Sequence, residues 1–157
     1  MRKTNFYDEQ FNDPDWDADD QGDFEPNLVF IAMSFEGQGM DEVYATIKDE
    51  CKYLRLNPCR VDENVGSGFI IREIASLIER AEFIIFDLTH ERPNVYYELG
   101  YAHGVGNEAN DVLLLAKEGT KLHFDISPLR FHLYRSIEHL REIVSANLSE
   151  MIRVTRR

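Results

Sequence analysis

Two acidic residues, Asp87 and Glu98, are the side chains in this sequence best placed to do chemistry on a bound ligand. Asp87 ends the apolar run 83–86, and Glu98 follows Pro93-Asn94, which opens an amphipathic helix. A strand, a turn and a helix start place both acids near the carboxyl edge of a sheet, where open α/β folds bind ligands. One carboxylate there could attack a carbon that is losing its leaving group, while a second acid protonates that group. Alternatively, Asp87 only caps the turn and Glu98 only interacts with the helix dipole.

The loop from 34 to 40 could contact a phosphate. Gly37 and Gly39 allow a tight turn, and the amides that start the next helix could receive an anion. The expected ligand contacts are Ser34, Phe35, Gly37 and Gly39. The loop contains neither GK[ST] nor GxGxxG, so a plain strand-to-helix turn is the alternative.

The loop from 62 to 68 is a second candidate contact region. Asp62 could accept a hydrogen bond from a sugar hydroxyl, and Ser67 could donate one to a phosphate or hydroxyl. Gly66 and Gly68 form a hinge around Ser67. Simple capping of the following helix is the alternative.

The third loop, after Asp87, adds further candidates. Arg92 could supply the positive charge that a phosphate requires, and Asn94 is expected to be the helix N-cap. Tyr97 could orient Glu98 or stack on a base, although packing is the ordinary role of such a ring. Gly100 lies inside this helix at a cost of about 1 kcal/mol relative to Ala, so we expect a close approach to its backbone.

No metal or cofactor is expected. His103 is five residues beyond Glu98, which rules out HExxH geometry, and the other histidines have no ligand spacing. Cys51 and Cys59 lack CxxC spacing and are expected to be buried, reduced thiols of a cytoplasmic protein.

Strands and helices alternate from residue 28 onward. Strands are predicted at 28–35, 59–61, 82–88, 112–116 and 131–134, and helices at 40–55, 69–81, 95–104 and 137–152. The strands are continuously apolar, as in a parallel sheet that helices cover on both faces. This predicts an α/β three-layer sandwich with a flavodoxin-like or Rossmann-like parallel sheet of about five strands.

Composition limits the function classes. The net charge of −12 argues against a nucleic-acid polymer as partner, and no apolar stretch is long enough to cross a bilayer. Residues 1–27 contain nine acids and two basic residues, a net charge of −7, and are predicted to form an arm separate from a single domain at 28–157. The arm is either a disordered extension or, through its aromatic residues, a docking segment.

Three segments together resemble a known superfamily. The segments FIAMSF, RVDENVGSG and above all FIIFDLTHERPNVYYELGYAHGVGN are similar to the nucleoside 2-deoxyribosyltransferase-like superfamily. Its relatives include deoxynucleoside monophosphate N-glycosidases and bacterial TIR-like nucleotide-binding domains. The resemblance covers about 28–116, and the PNVYY version is closer to the TIR-like branch.

The resemblance implies a nucleoside or nucleotide ligand and roles for both acids. Glu98 matches the glutamate that attacks the sugar anomeric carbon, and Asp87 matches an aspartate that contacts substrate or base. One hypothesis is therefore an enzyme that cleaves or transfers the N-glycosidic bond of a nucleoside, nucleotide or NAD. The other is a non-catalytic nucleotide-binding module in signalling or defence. The resemblance also implies a homo-oligomer, in which one subunit completes another's pocket.

Overall fold

A computed structural model describes residues 24–61, 67–122 and 130–156, except for the side chains of 67–70. Strands and helices alternate along these ranges, as predicted. In chain order the elements are β1 (Glu25–Ala32), α1 (Met40–Tyr53), β2 (Asn57–Cys59), α2 (Ser67–Arg80), β3 (Ala81–Asp87), α3 (Pro93–Gly104), β4 (Val112–Lys117), β5 (Arg130–Tyr134) and α4 (Ile137–Thr155). Residues 1–23, most of the predicted arm, lie outside the described ranges.

The five strands form one parallel sheet in the order β2-β1-β3-β4-β5. This is the flavodoxin-like order, whose topological switch point lies between β1 and β3. The predicted three-layer α/β sandwich is confirmed. Its carboxyl edge, where ligands bind in such sheets, is formed by the segments that follow β1, β3, β4 and β5.

Each face of the sheet buries its own apolar cluster, because successive strand side chains point to opposite faces. One face packs Ile84 and Phe86 of β3 with residues of α2 and α3 such as Leu99. The opposite face packs Phe83 and Ile85 with residues of α1 and α4. Helices α2 and α3 therefore cover one face, and α1 and α4 cover the other.

Several predicted ends of strands and helices were wrong. The second strand is Asn57–Cys59 rather than 59–61, and Pro58 lies inside it. Because β2 is an edge strand, it tolerates a residue that donates no backbone hydrogen bond. Helix α1 stops at Tyr53 rather than at residue 55, because Arg55 adopts a left-handed conformation with φ of 61°.

The N-cap of α3 is Arg92, not Asn94. Pro93 occupies the first helical position, where its fixed φ suits the helix and its missing N–H is no loss. The helix thus begins two residues earlier than predicted, and Asn94 lies exposed in its first turn. Strand β1 likewise begins at Glu25, three residues before the predicted start.

A buried ion pair anchors the end of α4 to the sheet. The Glu82 carboxylate is 3% exposed and accepts two bonds of 2.8 Å from the Arg156 guanidinium. The backbone N–H of Asn27 donates a third bond of 2.6 Å to the same carboxylate. Burial acts to raise the pKa of Glu82, but the bonds from Arg156 and Asn27 outweigh it and hold the pKa below its usual value.

Within these ranges, the structure has no helix that is long and apolar enough to cross a membrane.

Candidate functional site

Asp87 lies at the carboxyl end of β3 and is 2% exposed. Its Oδ1 accepts a 2.9 Å bond from the backbone N–H of Thr89, and its Oδ2 accepts a 2.9 Å bond from the hydroxyl of Tyr134. The hydroxyl oxygens of Thr89 and Tyr134 are 3.0 Å apart. Asp87 therefore fixes the positions of two side chains on neighbouring segments of the sheet edge. We refer to Asp87, Thr89 and Tyr134 as the edge network.

Burial dominates the electrostatics of the edge network. Desolvation raises the pKa of Asp87 above its ordinary value, although the bonds from Thr89 and Tyr134 act in the opposite direction. The pKa of Tyr134 is also raised, first by burial and then by the nearby Asp87 carboxylate. The Tyr134 hydroxyl is therefore a stable donor, and Asp87 holds a proton to a higher pH than an exposed aspartate.

Residues that were predicted to bind a phosphate after β1 and β3 form hydrogen bonds and an ion pair with Glu36 of the loop after β1. The Ser34 hydroxyl is buried, donating a 2.7 Å bond to the Glu36 carbonyl and accepting a 3.2 Å bond from the Glu36 N–H. Arg92, the predicted phosphate cation, pairs with the Glu36 carboxylate at 2.9 Å. Gly37 has a φ of 123°, and a Cβ at this position would overlap the His90 imidazole. The loops after β1 and β3 are thus in close contact, as the parallel-sheet prediction requires.

A cavity of about 330 Å³ opens beside these loops, between the N-termini of α1 and α4. This is the lower end of the range for small-molecule sites. We call it the edge cavity. Its described lining consists of Gln38, Gly39, Met40, Glu42, Val43, Thr89, His90, Lys117, Tyr134, Arg135, Ser136 and Ile137.

Two members of the edge network, Thr89 and Tyr134, line the edge cavity, and Asp87 lies behind them. Among the predicted contacts from the first loop, Gly39 belongs to the described lining. Lys117, Arg135 and Tyr134 were not predicted. All three lie at the ends of β4 and β5, and the rule that singled out Asp87, a polar residue at the end of a buried strand, could have found them.

Glu98 lies in the second turn of α3 and is partly buried. Helix α3 covers the face opposite to α1 and α4. Asp87 shares the parity of Phe83 and Ile85 along β3, so it points to the α1–α4 face. Glu98 is therefore carried by a helix on the face opposite to that of Asp87, and neither acid is part of the described lining of the edge cavity.

The other predicted contacts are less defined. Asn94 and Tyr97 are exposed on α3, Tyr97 by 57%. Asp62 and Gly66 lie outside the described residues. Ser67 and Gly68 form the start of α2, which begins two residues before the predicted start, but their side chains are not described.

Arg60, which directly follows β2, forms an aromatic stack that was not predicted. Its guanidinium carbon lies 4.3 Å from the centre of the Phe35 ring and 3.9 Å from that of Tyr44. Phe35, a predicted ligand contact, therefore packs against a cation. The buried Nη1 of Arg60 has no hydrogen-bond partner among the described residues.

No group of three or more potential metal ligands occurs in the described part of the chain.

No family model and no curated protein matches this chain. Solved structures do, at low sequence identity. A flavo-diiron protein variant from Thermotoga maritima aligns with a TM-score of 0.61 and 17% identity, over 83% of this chain and 38% of that one. This chain therefore spans well under half the length of that protein. The CMP N-glycosidase BcmB from Clostridium botulinum aligns with a TM-score of 0.57 and 13% identity, over 74% of this chain and 97% of that one.

A diflavin flavoprotein from Nostoc aligns with a TM-score of 0.51 and 15% identity, over 82% of this chain and 92% of that one. At such identities these likenesses establish the fold, and proteins with different activities share it.

Proposed function

We propose that this protein binds a nucleotide at the carboxyl edge of its sheet and cleaves the N-glycosidic bond. The observation that carries the proposal is Asp87 at the carboxyl end of β3, bound to two residues that line a cavity of about 330 Å³. Glu98 lies in the second turn of α3, the helix that follows this strand. The structural likeness to a CMP N-glycosidase over almost all of that enzyme supports the proposal.

Glu98 is the proposed nucleophile. As the bond between the anomeric carbon and the base breaks, a carboxylate oxygen of Glu98 bonds to that carbon. The base leaves with the electron pair of the broken bond and takes up a proton. Water then cleaves the glycosyl ester, which restores the carboxylate and releases the sugar; if another base attacks instead, the reaction is a transfer.

Asp87 is proposed to act through its neighbours. With 2% of its surface exposed, its carboxylate is bound to Thr89 and Tyr134, which themselves line the edge cavity. Its raised pKa lets the carboxyl group keep a proton to a higher pH than an exposed aspartate. The departing base takes its proton from solvent, and the water that cleaves the ester returns one. In this role Asp87 is a positioning residue whose effect reaches the ligand through the Tyr134 hydroxyl.

Binding without cleavage is the second candidate. It is favoured by the same burial of Asp87, because a carboxylate that is satisfied within the protein can serve only to shape the cavity. The protein would then be a nucleotide-sensing module.

Flavin binding has less support, although two of the structural neighbours are named as flavoproteins. The tricyclic ring of a flavin needs an extended apolar slot. Tyr134 is the one aromatic residue in the described lining, and its hydroxyl is bound to Asp87. A cavity of about 330 Å³, at the lower end of the range for small-molecule sites, suits a group smaller than a flavin ring system.

The test is an incubation with CMP, dCMP, other nucleoside monophosphates, deoxynucleosides and NAD, followed by chromatography for free base or nicotinamide. The proposal predicts release by the natural chain and none by Glu98→Gln. Glu142→Gln, an exposed substitution of the same type on α4, is the matched control and should retain full activity. Tight binding of intact ligand without release would support the sensing module and contradict the enzyme.

A further inference from the structure

We propose that Lys117 and Arg135 form an oxyanion site in the edge cavity that takes the phosphate of a phosphate monoester. Two of the phosphate donors predicted from sequence, Ser34 and Arg92, are already bonded within the protein. The Ser34 hydroxyl is bound to Glu36, and the Arg92 guanidinium is paired with the Glu36 carboxylate. The edge cavity, in contrast, is lined by two cations from the end of the sheet.

Both cations are available to a ligand. Within the described ranges, neither the ammonium group of Lys117 nor the guanidinium group of Arg135 has an ion pair or hydrogen bond; the hydrogen bonds of these residues are made by their backbone groups. Lys117 ends β4 and Arg135 follows β5, so adjacent parallel strands bring them to the same edge. Ammonium and guanidinium groups are the usual partners of a phosphate.

The charges around the edge cavity favour an anion. His90 also lines it, and Glu42 is the one acid in the described lining. The whole chain carries 29 acids and 17 basic residues, so a cavity with two cations and one acid reverses the balance of the molecule. Such a local reversal concentrates anionic ligands that the rest of the surface repels.

The two helix N-termini at the edge cavity differ in whether a side chain already accepts hydrogen bonds from their first N–H groups. At α4 the Ser136 hydroxyl accepts a bond from the His139 N–H, and the Glu138 carboxylate has a lowered pKa because it is bonded to its own backbone N–H and to Ser136. At α1 the N-cap is Gly39, which has no side chain to accept such a bond. The Met40 N–H donates a 3.3 Å bond to the Gly37 carbonyl, so at the start of α1 the N–H groups of Asp41 and Glu42 remain for an anion, beside the carboxylates of the same two residues.

The site selects a nucleotide over a nucleoside. This inference rests on the proposed function only in taking the rest of the ligand, beyond the phosphate, to be a nucleoside. Lys117 and Arg135 lie beyond residue 116, outside the segment that resembles the nucleoside 2-deoxyribosyltransferase-like superfamily. The phosphate monoester would sit between α1, β4 and β5, with its sugar directed towards the edge network.

Calorimetry with CMP, ribose 5-phosphate and cytidine tests the site apart from catalysis. The double variant Lys117→Gln/Arg135→Gln should bind CMP and ribose 5-phosphate at least tenfold more weakly than the natural chain, with cytidine binding unchanged. The matched control Arg55→Gln/Lys121→Gln removes the same charge from exposed residues outside the described lining and should bind both phosphates normally. If the double variant loses its native circular dichroism spectrum, the single variants Lys117→Gln and Arg135→Gln replace it. Each should bind CMP and ribose 5-phosphate at least threefold more weakly than the natural chain.

Equal weakening in the control would show that only net charge matters, and unchanged CMP affinity in the double variant would place the phosphate elsewhere; either result overturns the inference. Glu98→Gln separates the two proposals, because it should lose cleavage and keep the phosphate-dependent affinity. Loss of cleavage alone therefore bears on the nucleophile, and loss of the phosphate dependence bears on the oxyanion site.

Discussion

Substitution of Tyr134 by Phe removes one hydroxyl group from the buried edge network and leaves the ring in place. The hydroxyl donates a 2.9 Å bond to Asp87, which is 2% exposed and also accepts a bond from the N–H of Thr89. A hydrogen bond to a charged group is worth about 1.5–3 kcal/mol, and one between neutral groups about 0.5–1.5 kcal/mol. The free energy of unfolding should therefore fall by about 1.5–3 kcal/mol where Asp87 is ionised and by about 1 kcal/mol where it is protonated.

The pH dependence gives the sign of this effect. Burial raises the folded-state pKa of Asp87, so its contribution to stability is fully present below the unfolded-state pKa and is lost as the pH rises through the folded-state pKa. Removing the hydroxyl raises that pKa further, because the ionised form loses a donor. The loss of stability in Tyr134→Phe should thus be larger at pH 7 than at pH 4.

Urea denaturation followed by circular dichroism between pH 4 and pH 8 measures this difference. Tyr53→Phe is the control, since the Tyr53 side chain is 79% exposed and its substitution should change little at any pH. A Tyr134→Phe variant with the same loss at every pH would refute the coupling of this hydroxyl to the ionised Asp87.

The remaining predictions concern the structure around the site. Arg156→Ala should lower the free energy of unfolding by about 3 kcal/mol at pH 7, because it leaves the buried Glu82 carboxylate without its cation. This loss should shrink as the pH falls through the lowered pKa of Glu82, and urea denaturation at several pH values measures it. Cys51, whose pKa burial raises to about 12, should react with a thiol reagent at pH 8 only after unfolding, as followed by mass spectrometry. Gly37→Ala should lower the melting temperature because of its positive φ and the overlap with the neighbouring imidazole. The close approach expected at Gly100 is not found among the described residues, since apart from its chain neighbours and its own helix backbone no atom lies within 4 Å of an added Cβ. Gly100→Ala should therefore raise the free energy of unfolding by about 0.5–1 kcal/mol, measured by urea denaturation.

The sequence predicted the layers of the fold because buried parallel strands and amphipathic helices carry different periods. Continuous apolar runs such as 83–86 indicated strands that are buried on both faces, and five strands were predicted in the right chain order, with β1 and β2 displaced by two to three residues. The ends of the strands and helices were harder to predict, because prolines such as Pro93 and Pro58 can lie either inside an element or just outside it. Pro93 begins a helix at its first position, and Pro58 is tolerated in β2 only because that strand is at the edge of the sheet, a fact of tertiary structure.

The candidate site was predicted only in part, because contacts between residues that are distant in the sequence form it. The end of β3 pointed to Asp87, but the sequence could not show that its carboxylate is bound to Tyr134, 47 residues away. Nor could it show that Arg92 pairs with Glu36 while Lys117 lines the edge cavity, because these arrangements depend on how separate loops meet. That Glu98 is catalytic stays a prediction.

Mass spectrometry of the protein mixed with the 2′-fluoro analogue of a nucleoside monophosphate tests the role of Glu98 most directly, because the fluorine slows release of the glycosyl ester. The account predicts that the mass increases by one fluorinated pentose phosphate, that peptide mapping places the adduct on Glu98, and that Glu98→Gln gains none. An adduct on another side chain, or base release by Glu98→Gln at the natural rate, would contradict it.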